Sequence, residues 1–526
     1  MAMDPASDIA MLSRMRTIRA AEERGDSRVQ RALAGATVFI TGGTGFLGKQ
    51  LVEKLFRSCR DIKKIFLLVR EKKGKSIEER LKETLKDPVF DEVRKVNSYF
   101  EKRLVPVAGD VAELRLGLSD EDWNMLAEEV NFIYHIAATV KFDEPLKVAI
   151  LTNARGTREA ITLAKKTKDL KTFVYVSTAF SNCYNSEAYE KFYPTPVSAQ
   201  TIIDFVETFD EERLDAITPE ILGGWPNTYS FSKGIAEDAV RTLCTDIPTC
   251  VVRPAVVFPT VCEPAPGWLD MGNVFGPSGL LLGIGMGITH TTLVNPEGKI
   301  DAVPVDYVNN ATICATYETV QRYAKGHRDI KIYTVSNLRN VFTWNKCSDV
   351  LETTGRELVS PKAIWYCGTI VAQNEKMLLI LSLLLHFIPA FFIDIVLKMK
   401  GSKIRLTRLY TKAYKLNIVL KYFLLREFRH HDDNTLDLFN RLSDTDRNIF
   451  NFDVADIDFN VYIKYWWLGL RKYIIKDGLT GTKEAVRRQK WLKVVNYVVV
   501  ILYAFSGYKL LMFSGSVLWM CLRWLF

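Results

Sequence analysis

The sequence lacks cysteine pairs at the spacing of a metal site, although nine cysteines are scattered along its 526 residues. An odd, dispersed set of thiols favours reduced cysteines facing the cytosol over a disulfide framework. No metal is therefore expected as a partner. Nucleic acid is not expected either, because the formal charge of +9 is spread out without a nucleic-acid motif. Such a charge fits an anionic cofactor, an anionic substrate and a membrane surface.

An apolar run of signal-peptide length is also missing from residues 1–34, which carry many charged side chains. We predict that residues 1–34 form a polar, partly disordered extension. A chain of 526 residues is too long for one ordinary domain, so two or three units are expected.

Among the features that are present, a glycine-rich run at 41–48 follows a short apolar strand predicted at 36–41. Apolar residues then recur at helical spacing over 49–58. Strand, glycine turn and helix are the setting of a dinucleotide site, since a backbone without side chains can approach a pyrophosphate at a helix N-terminus. An ordinary turn that uses glycine is the alternative interpretation. The predicted cofactor contacts are Thr41, Gly42, Gly43, Thr44, Gly45, Phe46, Leu47 and Gly48.

The second predicted strand, 64–69, ends in Arg70, which is followed by Lys72 and Lys73. An acidic residue at this position would bind the ribose 2′-hydroxyl of NAD, whereas a cationic cluster suits the 2′-phosphate of NADP. We therefore predict NADPH as the cofactor, bound through Arg70, Lys72 and Lys73. A solvated charged loop is the alternative.

Further strands alternate with helices, at 104–108, 131–138, 172–177, 249–254 and 331–335. This alternation predicts an α/β fold with a Rossmann-like, doubly wound parallel sheet. Residues near the ends of these strands are predicted to contact the cofactor, namely Asp110, Val111, Ala137, Ala138, Asn153 and Pro254. His135 lies inside an apolar strand, so we interpret it as a core residue.

Tyr229 and Lys233 stand four residues apart, so on a helix they share one face. A free tyrosine, with a pKa of ~10, is a weak acid at neutral pH, and the nearby ammonium is expected to lower that pKa. Thr178, at the end of a strand, is predicted to hydrogen-bond the substrate carbonyl oxygen as negative charge develops. Ser177 is the second choice for that role. Lys233 is also expected to reach the cofactor ribose.

Together these motifs resemble the extended short-chain dehydrogenase/reductase superfamily. A narrower resemblance, to the alcohol-forming fatty acyl-CoA reductases, is carried by the segments 135–142, 174–180, 226–233, 267–270, 276–279 and 303–306. It extends from about residue 35 to the C-terminus. Gly43 stands where the family often has alanine, and Phe231 and Ser232 vary the interior of the tyrosine motif. None of these departures touches a chemical role.

The resemblance implies that NADPH reduces a long-chain fatty acyl-CoA to the primary fatty alcohol through a bound aldehyde, with release of CoA. It places that alcohol in wax or ether-lipid synthesis. The sequence shows no second nucleotide site, so the oxidised cofactor must exchange between the two reductions. Two alternatives stay open: a membrane-associated steroid or other carbonyl dehydrogenase of the same superfamily, and a non-catalytic module that senses NADP.

The predicted catalytic domain covers 35–355, with inserts on its substrate side, and the resemblance implies a helical C-terminal domain at 360–476. An apolar segment at 377–393 is borderline for a bilayer span, and a buried helix or an interfacial hairpin is an equal alternative. The segment 494–513 is long and apolar enough to cross a membrane, and basic residues precede it. Because of Lys509, two short segments that enter only one leaflet are the alternative. We therefore predict membrane lipid as a partner and a cytosolic catalytic domain, at the endoplasmic reticulum or the peroxisome. A homodimer is left open.

Overall fold

The computed structural model describes residues 5–72, 74–274, 276–353, 355–403 and 405–525. Its centre is a parallel sheet of seven strands: β1 Thr37–Thr41, β2 Lys64–Val69, β3 Leu104–Ala108, β4 Phe132–His135, β5 Thr172–Val176, β6 Thr249–Pro254 and β7 Lys331–Val335. The strands are ordered β3-β2-β1-β4-β5-β6-β7 across the sheet.

Apolar side chains project from both faces of the sheet, which explains why the strand sequences are continuous apolar runs. In β1, Val38 and Ile40 enter the core on one face, whereas Phe39 enters the core on the other. Helices cover both cores, as a parallel sheet requires. The predicted doubly wound Rossmann-like fold is therefore confirmed.

The α-helices are Pro5–Arg24, Arg28–Leu33, Phe46–Ser58, Ile77–Leu85, Asp91–Val96, Asp120–Glu129, Leu146–Ala149, Gly156–Lys166, Ala199–Thr208, Glu211–Leu222, Thr228–Leu243, Gly276–Gly285, Val305–Ala324, Trp344–Thr353, Glu375–Ser382, Ile388–Met399, Leu406–Leu424, Asp433–Arg441, Asp444–Ile449, Phe459–Gly469 and Thr482–Leu525. Helical turns of the π type extend or join some of them, at Ile150–Arg155, Leu383–Phe387 and Leu470–Ile475. Short parallel strand pairs lie outside the main sheet, at Glu187–Ala188 with Arg429–His430, Val256–Phe258 with Ala302–Pro304, and Thr291–Leu293 with Ile370–Ala372.

The order of the strands reverses between β1 and β4, which lie side by side with Thr41 opposite His135. The connections from these two strands therefore leave in opposite directions and open a crevice at the carboxyl edge of the sheet. Ligands of open α/β sheets bind at such a reversal. The glycine-rich run and the residues after β4 both begin at this edge.

The C-terminal helices share a hydrophobic core with the sheet domain. Phe342 stacks on Phe459 with ring centroids 4.6 Å apart, and Phe258 lies 4.4 Å from Trp466. These residues belong to the same buried cluster as Val38. The predicted boundary near residues 355–360 stays a prediction, because the packing is continuous across it.

The N-terminal segment differs from the predicted partly disordered extension. Residues 5–34 contain two helices, and Ile18, Val29 and Leu33 are buried in the main core. The carboxylate of Asp446 holds the start of the second helix, since it accepts a hydrogen bond of 2.5 Å from the Ser27 hydroxyl and one from the Val29 amide. Most of the charged side chains of this segment are exposed, although Glu22 is buried against Arg57. This predominance of charge concealed the narrow apolar face from sequence reasoning.

In the described part of the chain two helices are apolar and long enough to cross a membrane: Glu375–Met399, whose most apolar 18 residues have a mean hydropathy of 2.3, and Thr482–Ser514, where that value is 1.6. The second lies within the helix Thr482–Leu525, which docks through Gln489 and Asn496 onto Trp365. From Tyr497 to Phe513 its described side chains are exposed. Most of the predicted segment 494–513 lies in this exposed part, and its first three residues precede it.

Asp446→Ala should loosen the N-terminal helices, because the Ser27 hydroxyl and the Val29 amide would stay buried without their acceptor. The loss should be roughly 2–4 kcal/mol, measured as faster proteolysis within residues 5–34 and a lower Tm. Asp444→Ala is the matched control on the same helix, since that side chain is 94% exposed. Equal proteolysis of the two variants would contradict the role given to Asp446.

Candidate active site

The glycine turn after β1 depends on close backbone contacts. Gly42 has a φ of +78°, and a Cβ on it would lie 2.7 Å from the backbone nitrogen of Ala137. A Cβ on Gly48 would lie 2.2 Å from the carbonyl oxygen of Gly42. Gly45 precedes the helix Phe46–Ser58, and no side chain caps that N-terminus. This backbone cradle fits a pyrophosphate, which the helix N-terminus would stabilise.

The other residues of the run fix the turn to its surroundings. Gly43 lies against Leu67, where a Cβ would come within 2.4 Å of a methyl carbon. The Phe46 ring packs 5.3 Å from Trp268, and the Leu47 carbonyl accepts a hydrogen bond from Asn309. Thr44 is half-buried in the turn. The backbone, more than the side chains, is therefore what this run offers to a ligand.

His135 is a core residue, as predicted. Its Nδ1 lies 2.9 Å from the Thr41 hydroxyl and its Nε2 lies 3.1 Å from the Thr157 hydroxyl. Burial, with Lys233 adding to it, lowers the pKa of His135 to about 3. The ring is therefore neutral at physiological pH, and it ties β1 to the helix that follows β4.

Arg70 at the end of β2 pairs with Asp110 beyond the end of β3, with 3.0 Å between the charged atoms. Asp110 also accepts a hydrogen bond from the amide of Ala112, which orders the turn containing Val111. The Arg70 side chain is still 54% exposed. Lys72 lies in the next turn, and Lys73 lies outside the described residues.

Tyr229 lies in the first turn of the helix Thr228–Leu243. Asn227 caps this helix by accepting a hydrogen bond of 2.8 Å from the amide of Ser230. The Tyr229 ring stacks on Phe142 at 5.7 Å. Burial raises the pKa of Tyr229 to about 12, and a hydrogen bond with Thr178 opposes part of that rise. The hydroxyls of Tyr229 and Thr178 are thus neighbours.

Lys233 lies one turn further along and is buried. Its ammonium donates 2.8 Å to the Val176 carbonyl and 3.3 Å to the Tyr175 hydroxyl. Burial lowers the pKa of Lys233 to about 7, with Glu237 opposing the shift. The predicted fall in the Tyr229 pKa is therefore wrong for this arrangement. The ammonium is bound to other groups, and burial disfavours the tyrosinate more than its surroundings favour it.

Ser177 and Thr178 have different surroundings. The Ser177 hydroxyl donates 2.5 Å to Glu237, whose carboxylate also pairs with Arg253 at 2.6 Å. Besides its hydrogen bond with Tyr229, Thr178 makes a 3.5 Å contact with the Pro254 carbonyl and accepts a hydrogen bond from the Phe180 amide. Its hydroxyl lies beside Tyr229, so the geometry favours Thr178 over Ser177 as the group that meets a substrate oxygen.

Asn153 joins the loop after β4 to the tyrosine helix. Its side chain exchanges hydrogen bonds with the Thr139 backbone, at 2.9 and 3.2 Å, and donates 2.9 Å to the Ser232 hydroxyl. Ala137 and Ala138 are half-buried in that loop, at the edge of the crevice. Asn153 thus positions both walls of the site, whereas its predicted contact with the cofactor stays a prediction.

Sequence reasoning missed several residues that shape the site. Phe142 lies 5.2 Å from Phe423, which also contacts Phe180 at 5.4 Å. Phe423 comes from the C-terminal helix Leu406–Leu424, and no spacing rule connects it to Tyr229. Glu237 was missed too, although its position one turn after Lys233 was a usable signal.

An apolar cavity of about 180 Å³ lies near this aromatic cluster. It is lined by residues of the helices Gly276–Gly285 and Trp344–Thr353 and by Trp466 and Trp467. Leu424, the neighbour of Phe423, packs on Leu280 and Val294 in its wall. Within the described parts of the chain, no group of histidine, cysteine and carboxylate side chains could hold a metal ion.

Comparison with known proteins gives two family matches, both described as "Male sterility protein": an NAD-binding model over residues 40–312 and a second model over 385–477. "Fatty acyl-CoA reductase wat" of Drosophila melanogaster is 36% identical over 487 residues, 92% of this chain and 93% of the relative. "Fatty acyl-CoA reductase 1" of Homo sapiens is 34% identical over 465 residues, 88% and 89% of the two chains.

Among solved structures, the terminal R domain of the myxalamid PKS-NRPS pathway superposes with a TM-score of 0.56 at 21% identity, covering 84% of this chain and 92% of that one. The reductase domain of a non-ribosomal peptide synthetase from Mycobacterium tuberculosis gives 0.53 at 22% identity, covering 87% and 95%. At this identity the likeness concerns the fold.

Arg70→Ala, alone or with Lys72→Ala, should weaken NADPH far more than NADH, since only NADPH carries the 2′-phosphate. Each lost charge-assisted bond should cost roughly 1.5–3 kcal/mol, measured as Kd by fluorescence titration. Lys75→Ala is the control, because its amine pairs with Glu83. An equal loss for both cofactors would refute the phosphate assignment.

Proposed function

The chain belongs to the fatty acyl-CoA reductase family, within the extended short-chain dehydrogenase/reductase superfamily, and we propose that it uses NADPH to reduce a long-chain fatty acyl-CoA. The product is the primary fatty alcohol, which forms through a bound aldehyde with release of CoA. It is an oxidoreductase with a nicotinamide-binding domain. NADPH as the cofactor, the alcohol as the product and the release of CoA are the proposal.

The observation that carries the proposal is the meeting of Thr178, Tyr229 and Lys233 beside the crevice at the carboxyl edge of the sheet. When bound, NADPH would supply the hydride for each of two reductions. The residues that would hold it are the glycine turn 41–48, Arg70 and Lys233. The chemistry that remains, stabilising an oxyanion and delivering a proton, requires hydroxyl donors next to the reacting carbonyl.

Thr178 and Tyr229 divide that work. The Thr178 hydroxyl would donate to the thioester oxygen as it gains charge, and the hemithioacetal then collapses to the aldehyde and the CoA thiolate. In the second reduction Tyr229 would give its proton to the alkoxide. Its pKa of about 12 keeps the phenol protonated until an alkoxide, the stronger base, forms beside it. Lys233, with a pKa lowered to about 7, can exchange protons near neutral pH.

The apolar cavity would receive the acyl chain. Leu424, which packs on Leu280 and Val294 in its wall, adjoins Phe423, which contacts Phe142, and Phe142 stacks on Tyr229. An acyl chain whose thioester carbonyl lies near Tyr229 would therefore pass apolar side chains on its way to the cavity. Burying each methylene there would contribute about 0.8 kcal/mol, which favours long chains over short ones.

The helix Thr482–Leu525 would anchor the enzyme in a membrane, with the catalytic domain on the cytosolic side, at the endoplasmic reticulum or the peroxisome. Its exposed apolar part follows a basic stretch, Lys483, Arg487, Arg488, Lys490 and Lys493. Such a charge distribution favours an orientation in which the N-terminal end of this helix faces the cytosol. Lipid is thus a partner as well as a source of substrate.

Tyr229→Phe should lower turnover of a long-chain acyl-CoA by ~10²-fold or more, because the proton donor is lost. NADPH binding should persist, since the ring still stacks on Phe142. NADPH consumption and alcohol formation are measured together, with a steroid ketone as the competing substrate class. Tyr99→Phe, at an exposed tyrosine, is the control. Normal alcohol formation by the Tyr229 variant would refute the mechanism.

Ile284→Phe should narrow the cavity and shift the preferred acyl chain to shorter lengths, seen as a higher KM for long chains with kcat for short chains retained. Leu282→Phe is the matched control, because Leu282 lies on the same helix but does not line the cavity. The same chain-length profile in both variants would place the acyl chain elsewhere.

Deleting residues 497–526 should release much of the enzyme from membranes and leave its activity on detergent-dispersed acyl-CoA intact. The catalytic side chains lie far from this segment in the sequence, and the docking contacts of Gln489 and Asn496 remain. Membrane fractionation measures the release, and NADPH consumption measures the remaining activity. An inactive, unfolded product would identify the segment as a structural helix instead.

A further inference from the structure

The helix Glu375–Met399 includes the π-helical turn Leu383–Phe387. After it the chain reverses direction and continues as the helix Leu406–Leu424. Asp394 fixes the connection, since its carboxylate accepts hydrogen bonds of 2.7 Å from the Leu406 amide and 3.0 Å from the Thr407 amide. The Thr407 hydroxyl adds a third bond at 2.7 Å. The two helices therefore form a defined hairpin, 375–424, and not two independent segments.

One edge of this hairpin is apolar and uncovered. The exposed fractions of its outer side chains are large: Phe391 57%, Phe392 62%, Ile395 45%, Val396 51% and Met399 83%. Adjacent large apolar side chains that remain this exposed mark an interaction surface.

Basic side chains border the apolar edge: Lys398, Lys400, Lys403, Arg408, Lys412 and Lys415. All six are exposed, and none forms an ion pair with any residue the structure describes. The hairpin 375–424 contains two acidic residues: Asp394, which is buried in the turn, and Glu375 at the base, which pairs with Lys421. The hairpin thus combines an apolar edge with a strongly positive border.

We propose that the hairpin 375–424 lies in the cytosolic interface of an anionic phospholipid bilayer, as a membrane contact separate from the C-terminal helix. The return helix carries Arg408, Lys412 and Lys415 about one turn apart, so it cannot cross hydrocarbon, and its apolar partner cannot cross alone. An amphipathic element with a basic polar side lies instead at the boundary of headgroups and acyl chains.

The charge of the hairpin distinguishes two candidate occupants of its apolar edge, a lipid bilayer and a second copy of the chain. A symmetric dimer through this face would bring the same six cations of each copy together, which like-charge repulsion disfavours. Anionic headgroups neutralise them, and each basic residue near such a surface adds to binding. The occupant we assign is therefore lipid.

The base of the hairpin is fixed to the body next to the apolar cavity. Asn417 accepts hydrogen bonds of 2.9 Å from the Leu293 amide and 3.0 Å from the Thr292 hydroxyl, and Leu378 packs on Leu293. Thr292 also lines the cavity. The base of the hairpin therefore adjoins the cavity, whereas the proposed contact with lipid lies at the opposite end, around the turn; this arrangement holds whether or not the proposed reaction is correct.

The test uses the full chain reconstituted in vesicles of equimolar phosphatidylserine and phosphatidylcholine with a trace of a phospholipid whose acyl chain carries a photoactivated carbene precursor. Adducts are mapped by mass spectrometry. We expect adducts on the peptide containing Phe391 and Phe392, in addition to those on the C-terminal helix, which serve as the internal standard for reconstitution. Adduct formation requires no turnover, so failure of the proposed reaction would not affect this result.

A triple variant, Lys398→Gln, Lys400→Gln and Lys403→Gln, should lower the hairpin adducts roughly tenfold relative to the standard, because the attraction to anionic lipid is lost. The matched control changes exposed lysines on other helices, Lys82, Lys86 and Lys166, to glutamine and should change nothing. NADPH binding by each variant verifies folding. Adducts confined to the C-terminal helix, or hairpin adducts unaffected by the triple variant, would overturn the proposal.

Discussion

The close approach of the glycine turn to the residues after β4 is the constraint on which the site depends. Gly42 faces the Ala137 backbone and Gly48 faces the Gly42 carbonyl at distances where a Cβ would overlap. Because the strand order reverses here, the same contact that closes the core also defines the floor of the crevice. Asn153 then ties the loop after β4 to the tyrosine helix, so hydrogen bonds connect the glycine turn's neighbour to the helix that carries the proposed catalytic side chains.

Burial acts in opposite directions on the two central titrating groups. It raises the pKa of Tyr229 and lowers that of Lys233, because in each case it disfavours the charged form. A protonated phenol is the form that can donate to an alkoxide, so the higher pKa suits reduction of a carbonyl better than a stabilised tyrosinate would. The buried Glu237–Arg253 pair adjoins Lys233 and holds Ser177, which gives Thr178 the open position.

The sequence was sufficient for the features that depend on local pattern. The strands, the glycine turn and the Tyr229–Lys233 spacing follow from periodicity and from residues that are near each other in the chain. The contacts of Phe423 with Phe142, and of Asp446 with Ser27, join residues far apart in sequence, so only the folded chain shows them. The predicted direction of the Tyr229 pKa shift was wrong for a related reason. Spacing predicts which groups are near each other, but it does not predict how strongly the folded core excludes water from them.

In the proposed mechanism the C-terminal helices contribute to the site, because one of them joins the proposed lipid contact to the aromatic cluster around Tyr229. The helix Leu406–Leu424 begins at the basic turn of the hairpin and ends where Phe423 meets the ring that stacks on Tyr229. Its 19 residues correspond to about 28 Å, comparable to the thickness of one bilayer's hydrocarbon core. A fatty acyl-CoA is anchored to lipid by its chain and soluble at its CoA end. A rigid helix of this length between a lipid-binding turn and the proton donor would therefore hold the active site at a fixed distance from the surface where such a substrate resides.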